Sequence, residues 1–120
     1  MDEHFSFGIE EEYFLVDAET KAVICDMPKA FLDAPGKAIG RDGGQVTSEM
    51  LQAQIEVATA PHTEMRAARE ELRHLRRSLA EVGAEHGLAI LAAGTHPTAS
   101  WRDAHQTESE RYDAVMEDLR

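Results

Sequence analysis

Residues 7–17 read Phe7-Gly8-Ile9-Glu10-Glu11-Glu12-Tyr13-Phe14-Leu15-Val16-Asp17. Three consecutive carboxylates stand inside a segment whose other residues are those of a buried strand, and a strand over 5–17 is the expectation. Strand side chains alternate between faces. Phe7, Ile9, Tyr13 and Leu15 then share one face, with Glu11 among them, while Glu10 and Glu12 point to the other beside Phe14 and Val16. Like charges side by side on a partly apolar face repel, and a cation between them relieves that repulsion. A hard divalent ion such as Mg²⁺ suits an all-oxygen set. A solvated edge-strand face explains the same pair with about equal weight, because exposed Glu pairs are common on antiparallel sheets.

Outward from this stretch, Ala18-Glu19-Thr20-Lys21 is a polar connection, and Ala22-Val23-Ile24-Cys25 is expected to return as a short antiparallel partner. Residues 26–46 hold Pro28, Pro35, Gly36, Gly40, Gly43 and Gly44 and read mainly as loop, with a short helix near Lys29–Leu32. Gln52 to Ala60 reads as a second strand that Pro61 ends. Ile55, Val57 and Thr59 share one of its faces; Gln54, Glu56 and Ala58 share the other.

Thr63 is the expected N-cap of a long helix over 64–86. Met65, Ala68, Leu72, Leu75, Leu79 and Val82 advance in alternating steps of three and four, forming one apolar stripe that suits packing on a sheet. The five arginines and five glutamates of this segment mostly fall on the outer face as a solvated, ion-paired surface. Gly87 supplies the stop. Leu88-Ala89-Ile90-Leu91-Ala92-Ala93 is expected as a strand buried on both faces, broken by Gly94-Thr95-His96-Pro97. A last helix is expected from about Glu108, with Tyr112, Val115, Met116 and Leu119 on one side. The order suggests an α+β domain, its mixed or antiparallel sheet covered on one face by helices.

The 120 residues suit one small domain. The formal net charge is −11, from 23 acidic and 12 basic side chains. That balance argues against nucleic-acid and anionic-membrane partners and fits carboxylates gathered around cations. Cys25 is the only cysteine, so no internal disulfide forms and a reducing compartment is expected. No run approaches transmembrane length, and Met1-Asp2-Glu3-His4 lacks the layout of a signal peptide, so a cytoplasmic location is the default. Gly40-Arg41-Asp42-Gly43-Gly44 lacks the strand–loop–helix context of a phosphate cradle. His4, His62, His74, His86 and His105 show no metal-ligand spacing, and a zinc site is not expected.

The second acidic element is Thr47-Ser48-Glu49-Met50-Leu51-Gln52-Ala53-Gln54-Ile55-Glu56-Val57-Ala58-Thr59-Ala60-Pro61. If this strand pairs with 5–17, Glu56 completes a carboxylate cluster with Glu10 and Glu12, and Glu49 reaches it from the rim. Taken alone, Glu56 reads equally well as an exposed residue on a half-buried strand.

Three motifs in order, Gly8-Ile9-Glu10-Glu11-Glu12, then Glu49…Glu56 running into Ala58-Thr59, then Gly94-Thr95-His96-Pro97 with Trp101 and Glu110-Arg111-Tyr112, resemble the N-terminal part of the glutamate–cysteine ligase type 2 family (YbdK-like carboxylate–amine ligases) along essentially the whole chain. The resemblance implies a fold like the catalytic domain of glutamine synthetase. It implies an ATP-dependent reaction in which a substrate carboxylate, usually glutamate's γ-carboxylate, is phosphorylated and then attacked by an amine such as that of cysteine. It implies Mg²⁺ ligation by Glu10, Glu12 and Glu56. Glu49 stands where relatives commonly show Asp and joins the metal set with a longer arm; Gln52 stands where related ligases often carry another acid. His96, Trp101 and Arg111 are the implied substrate contacts. Each has a structural alternative: a loop histidine capping backbone groups, a tryptophan covering the core, an arginine paired with Glu108 or Asp113.

Members of that family are much longer chains, so residues 1–120 are expected to be the N-terminal portion of one catalytic domain, holding half a site and inactive alone. A piece of a full ligase is favoured. A split-enzyme subunit completed by a second chain, or a non-catalytic module binding a partner or nucleotide, are the alternatives. A homodimer is among the assemblies this allows.

Overall fold

The structure, a computed structural model, describes residues 5–28, 45–48, 53–100, 102 and 110–118. Its elements in chain order are β1 (Glu10–Asp17), β2 (Gln45–Ser48), β3 (Gln54–Ala58), α1 (Met65–Glu85), β4 (Leu88–Leu91) and α2 (Glu110–Asp118). The strands form one sheet in the order β2-β3-β1-β4, with every neighbouring pair antiparallel. The fold class is α+β, and the antiparallel one of the two expected sheet types is the one observed.

The alternation in β1 sorts its residues as the sequence predicts. Tyr13 and Leu15 are buried with Ile55, Val57, Leu75 and Leu79, and Leu72, Val82, Leu88 and Ile90 pack around them. This is the face that α1 covers. Phe14, Val16 and Ala53 form a smaller cluster on the opposite face with Val23, Ala89 and Leu91. Full burial of one such large apolar side chain contributes about 2 kcal/mol.

β1 is shorter than the expected 5–17. Residues before Glu10 run beside 59–62 without forming a regular ladder. Thr59 donates its N–H to the Ile9 carbonyl at 2.9 Å, and the Ile9 N–H goes to the Thr59 hydroxyl at 3.0 Å instead of the backbone. Phe7 and His62 then exchange both backbone bonds. The 59–62 side carries one residue more than its partner, because Pro61 has no N–H to donate. β3 stops at Ala58, ahead of the expected end at Ala60, and pairing resumes beyond Pro61.

The turn after β1 is held by Asp17, whose Oδ1 accepts the N–H groups of Glu19 and Thr20 at 2.9 and 2.8 Å. These donors, Thr20 first, hold the Asp17 carboxyl below its usual range. Lys21 takes a left-handed φ of 63°. The chain then returns as the sequence suggests: Asp17 donates to Ala22, Ile24 donates to Leu15, and Val16 bridges Val23. This segment takes up the side of β1 where β3 has ended.

Four further expectations are corrected. β2 lies at the end of the 26–46 region read as loop; its signal is the β-branched pair Val46-Thr47 after two glycines. Residue Glu64, not Thr63, occupies the N-cap position of α1, in extended conformation and without a side-chain cap bond. Met65 heads the stripe in sequence but is 63% exposed, because it lies beyond the end of the sheet contact that begins at Ala68. β4 is half-buried throughout, not buried on both faces: among the described strands it is at the sheet edge. The proposed short helix near Lys29–Leu32 lies outside the described residues. α2 is described from Glu110, and its expected start near Glu108 lies outside the described residues; its Val115 is exposed, while the side chains of Tyr112 and Met116, and all of Leu119, also lie outside what is described.

Gly87 stops α1 with a left-handed φ of 68° and passes its carbonyl to the Ala18 N–H at 3.0 Å. Gly94 needs no such conformation, and a Cβ there would meet nothing within 4 Å. Gly87→Ala should therefore lose about 1 kcal/mol of stability, whereas Gly94→Ala should change it by less than about 0.5 kcal/mol. Urea midpoints of the two variants check the contrast; equal midpoints would remove the conformational role assigned to Gly87.

Candidate functional site

β1 and β3 pair with Glu10 opposite Ala58, Glu12 opposite Glu56 and Phe14 opposite Gln54. β2 continues the row, with Thr47 opposite Glu56 in register. The backbone bonds flanking the β1–β3 ladder, Thr59 to Ile9 and Leu15 to Ala53, fall on odd-numbered β1 residues. Glu12 and Glu56 are thus a non-hydrogen-bonded pair, the kind that brings facing side chains closest, with Cα atoms about 4.5 Å apart. Like charges directly opposite one another destabilise a sheet. The face away from α1 therefore carries two facing carboxylates, with Glu10 two residues along the same strand.

These are hard oxygen donors suited to Mg²⁺. Among the described residues no group of three or more His, Cys, Asp or Glu side chains is placed to hold a metal ion, so Glu10, Glu12 and Glu56 do not come together as a three-carboxylate cluster. Mg²⁺ does not require one, since it is usually bound by one or two carboxylates together with waters and substrate phosphates. The Glu12–Glu56 pair fits that mode. Glu49 and Trp101 lie outside the described residues. Arg111 is the second residue of α2, and its side chain is outside what is described.

Glu11 turns to the other face, as the alternation predicts, and meets Arg76 of α1. Arg76 Nε donates to Glu11 Oε2 at 2.8 Å, and its Nη2 pairs with Oε1. The buried Tyr13 hydroxyl donates to the same Oε2 and accepts from Arg76 Nε at 3.3 Å. The Arg76 hydrogen bond holds the Glu11 carboxyl below its ordinary value, with Tyr13 adding to the effect against the cost of burial. Burial, followed by the Glu11 hydrogen bond, pushes the Tyr13 phenol up to about 12. The helical period places the charges of this segment mostly on the solvated face. Arg76 departs from that because it stands at i+4 from Leu72, on the border of the stripe, where a long side chain reaches the sheet. Glu71 departs in the same way: it accepts the Ala60 N–H at 3.1 and 3.2 Å and pairs with His62, tying α1 to the irregular segment around Pro61.

β4 pairs with β1 only from Phe14 to Asp17. Ahead of Phe14 the strands part, and a cleft of about 360 Å³ opens between Glu11, Glu12 and Tyr13 on one side and Ala92, Ala93 and Gly94 on the other. The Gly94–Pro97 motif begins at its wall. His96 is buried edge-on against Phe14, ring centroids 5.9 Å apart. Its Nδ1 accepts the Thr98 N–H at 3.2 Å, which leaves Nε2–H to donate to the Lys21 carbonyl at 3.0 Å. Both ring nitrogens are thus engaged with backbone, the capping role that a loop histidine offers, and the ring joins the 94–98 loop to the turn after β1.

The depressed Glu11 titration has a consequence for acid stability. A carboxyl whose folded value lies below its unfolded value of about 4.5 contributes stability above that pH and loses it as pH falls through the folded value. Wild type should therefore lose more stability between pH 5 and pH 3 than Glu11→Gln, measured by urea midpoints across that window. Identical acid limbs would show that the ion pair contributes nothing there.

The comparisons with known proteins bear on the chain as a whole. A model of the Glutamate-cysteine ligase family 2 (GCS2) matches residues 6–119. A Bradyrhizobium protein (strain ORS 278) named "Putative glutamate--cysteine ligase 2" is 54% identical over 116 residues, covering 97% of this chain and 28% of that protein. Proteins of the same name from Rhodospirillum rubrum and Ruegeria pomeroyi are 47% and 44% identical over 116 and 119 residues, covering 96% and 99% of this chain and 30% of each relative. The chain thus spans less than a third of the length of these relatives. With the model matching nearly its full length, this chain belongs to the glutamate–cysteine ligase family 2.

Proposed function

We propose that this chain is the metal-bearing part of an ATP- and Mg²⁺-dependent carboxylate–amine ligase of the glutamate–cysteine type. Its 120 residues would form the N-terminal portion of one glutamine-synthetase-like catalytic domain. Family membership supports the ligase class, and the facing Glu12 and Glu56 carboxylates are the observation that carries the metal role. The single free Cys25 suits a reducing, cytoplasmic setting. Among the described residues no helix is long and apolar enough to cross a membrane.

In this reading a carboxylate oxygen of a glutamate-like substrate attacks the γ-phosphorus of ATP and ADP departs. An amine such as that of cysteine then attacks the acyl carbon, phosphate leaves, and the amine gives up a proton. Mg²⁺ bound at Glu12 and Glu56, with Glu49 adding oxygens, would neutralise the triphosphate and the charge developing on the transferred group. The facing glutamates hold the cation side of the site on a rigid sheet. The cleft beside Glu12 gives a substrate access to it from the β1 edge. His96 orients the loop that walls this cleft, and Trp101 and Arg111 would complete the substrate contacts, Arg111 by neutralising a carboxylate.

Calorimetric titration with a non-hydrolysable ATP analogue tests the reading. Binding should require Mg²⁺, and Glu12→Gln and Glu56→Gln should each weaken it at least about tenfold, the loss of about 1.4 kcal/mol expected for a charged ligand. Mg²⁺-independent binding with unchanged affinity in both variants would leave a nucleotide-binding module without a metal face. Absence of binding even with the remaining segment of a relative supplied in trans would favour a non-catalytic interaction module.

A further inference from the structure

The half of β1 that carries the three glutamates is restrained less than the other half. Residues 14–17 have β4 on one side and, on the other, backbone bonds from Leu15 to Ala53 and from Asp17 to Ala22. Residues 10–13 have β3 on one side and, among the described residues, the open cleft on the other. A strand paired along a single edge is held there by that pairing and by the burial of Tyr13, and a contact at the glutamates themselves limits the roll that remains. Such a roll would swing Glu12 away from Glu56, which stands opposite it in the register. It would also swing Glu11 on the opposite face, since neighbouring strand side chains are fixed back to back.

The Arg76 contact opposes that motion. The guanidinium grips both oxygens of Glu11 through a planar fork, a geometry that resists rotation better than a point charge does. Tyr13, buried in the core, supplies a third anchor to the same carboxylate. The contact joins β1 to the middle of a 21-residue helix, at the one stretch where β4 has stopped supporting the strand. We infer that Arg76 is a positioning residue for the carboxylate face: by holding Glu11 from the helix side it fixes the roll of residues 10–13 and so the approach of Glu12 to Glu56. The inference rests on the metal-binding reading proposed above.

The test measures Mn²⁺ binding, with Mn²⁺ alone as the probe, by electron paramagnetic resonance of the free ion. Wild type should bind, and Glu12→Gln should lose binding. Arg76→Met should weaken the Mn²⁺ Kd about tenfold with its circular dichroism unchanged, and Arg76→Lys should recover only part of the loss, because the charge returns without the fork. Arg73→Met is the control for a merely structural effect; its partner Glu70 lies on the same exposed helix surface, and its Kd should equal wild type. Wild-type affinity in Arg76→Met, with binding lost in Glu12→Gln, overturns the inference and leaves the metal reading standing. Failure of wild type to bind Mn²⁺ both alone and with a non-hydrolysable ATP analogue overturns both. Should Arg76→Met not fold, Arg76→Lys and Glu11→Gln decide, and an unchanged Kd in both overturns the inference.

Discussion

The antiparallel register between β1 and β3 is the constraint on which the rest of this structure depends. It sets Tyr13 against Ile55 on the face that α1 covers, and Glu12 against Glu56 on the other. Because strand side chains have a period of two, a slip of one residue would exchange the faces. Tyr13 and Leu15 would leave the core, and Glu11 would replace Glu12 among the front carboxylates. Burying each of those large side chains contributes about 2 kcal/mol, more than facing glutamates are expected to cost, so the core dictates which carboxylates stand together.

Much of this was legible in the chain because it depends on local periodicity. The alternation of Phe7 to Asp17 separated Glu11 from Glu10 and Glu12 without reference to any partner strand. The three-and-four spacing from Ala68 to Val82 gave the buried side of α1, and Gly87 gave its end. The pairing of Glu12 with Glu56 could be posed from sequence only as a condition, since strand order and register are set by contacts between segments some forty residues apart. Met65 continues the helical period but lies beyond the sheet, and no periodicity reports where a packing partner stops. Leu88–Leu91 looks like a central strand by composition. Its place at the edge of the described sheet follows from topology, which hydropathy does not encode.

Long polar side chains at the margin of an apolar stripe were the other blind point. Arg76 and Glu71 count as surface charges in any helical projection, yet each crosses to the sheet side and satisfies groups there. Glu71 accepts the Ala60 N–H next to a proline that interrupts the ladder, a backbone group that would otherwise need water. His96 belongs to the same class. As a residue in a glycine–proline loop its chemistry invites a functional reading, whereas its burial beside Phe14 and its two backbone partners show what it does for the fold.

The distribution of charge across the sheet follows from these contacts. A chain with a formal charge of −11 places three successive carboxylates on one strand, and the alternation sends the middle one to the only side where a protein cation can reach it from α1. Glu11 is compensated internally, so its charge does not add to the field on the front. Glu12 and Glu56 face each other across a non-hydrogen-bonded pair, the position of greatest repulsion on an antiparallel ladder. In a fold selected only for stability, a β-branched or apolar pair at that position would be the more stable choice. The two acids retained there depart from that choice, on a strand whose neighbouring acid is neutralised from behind.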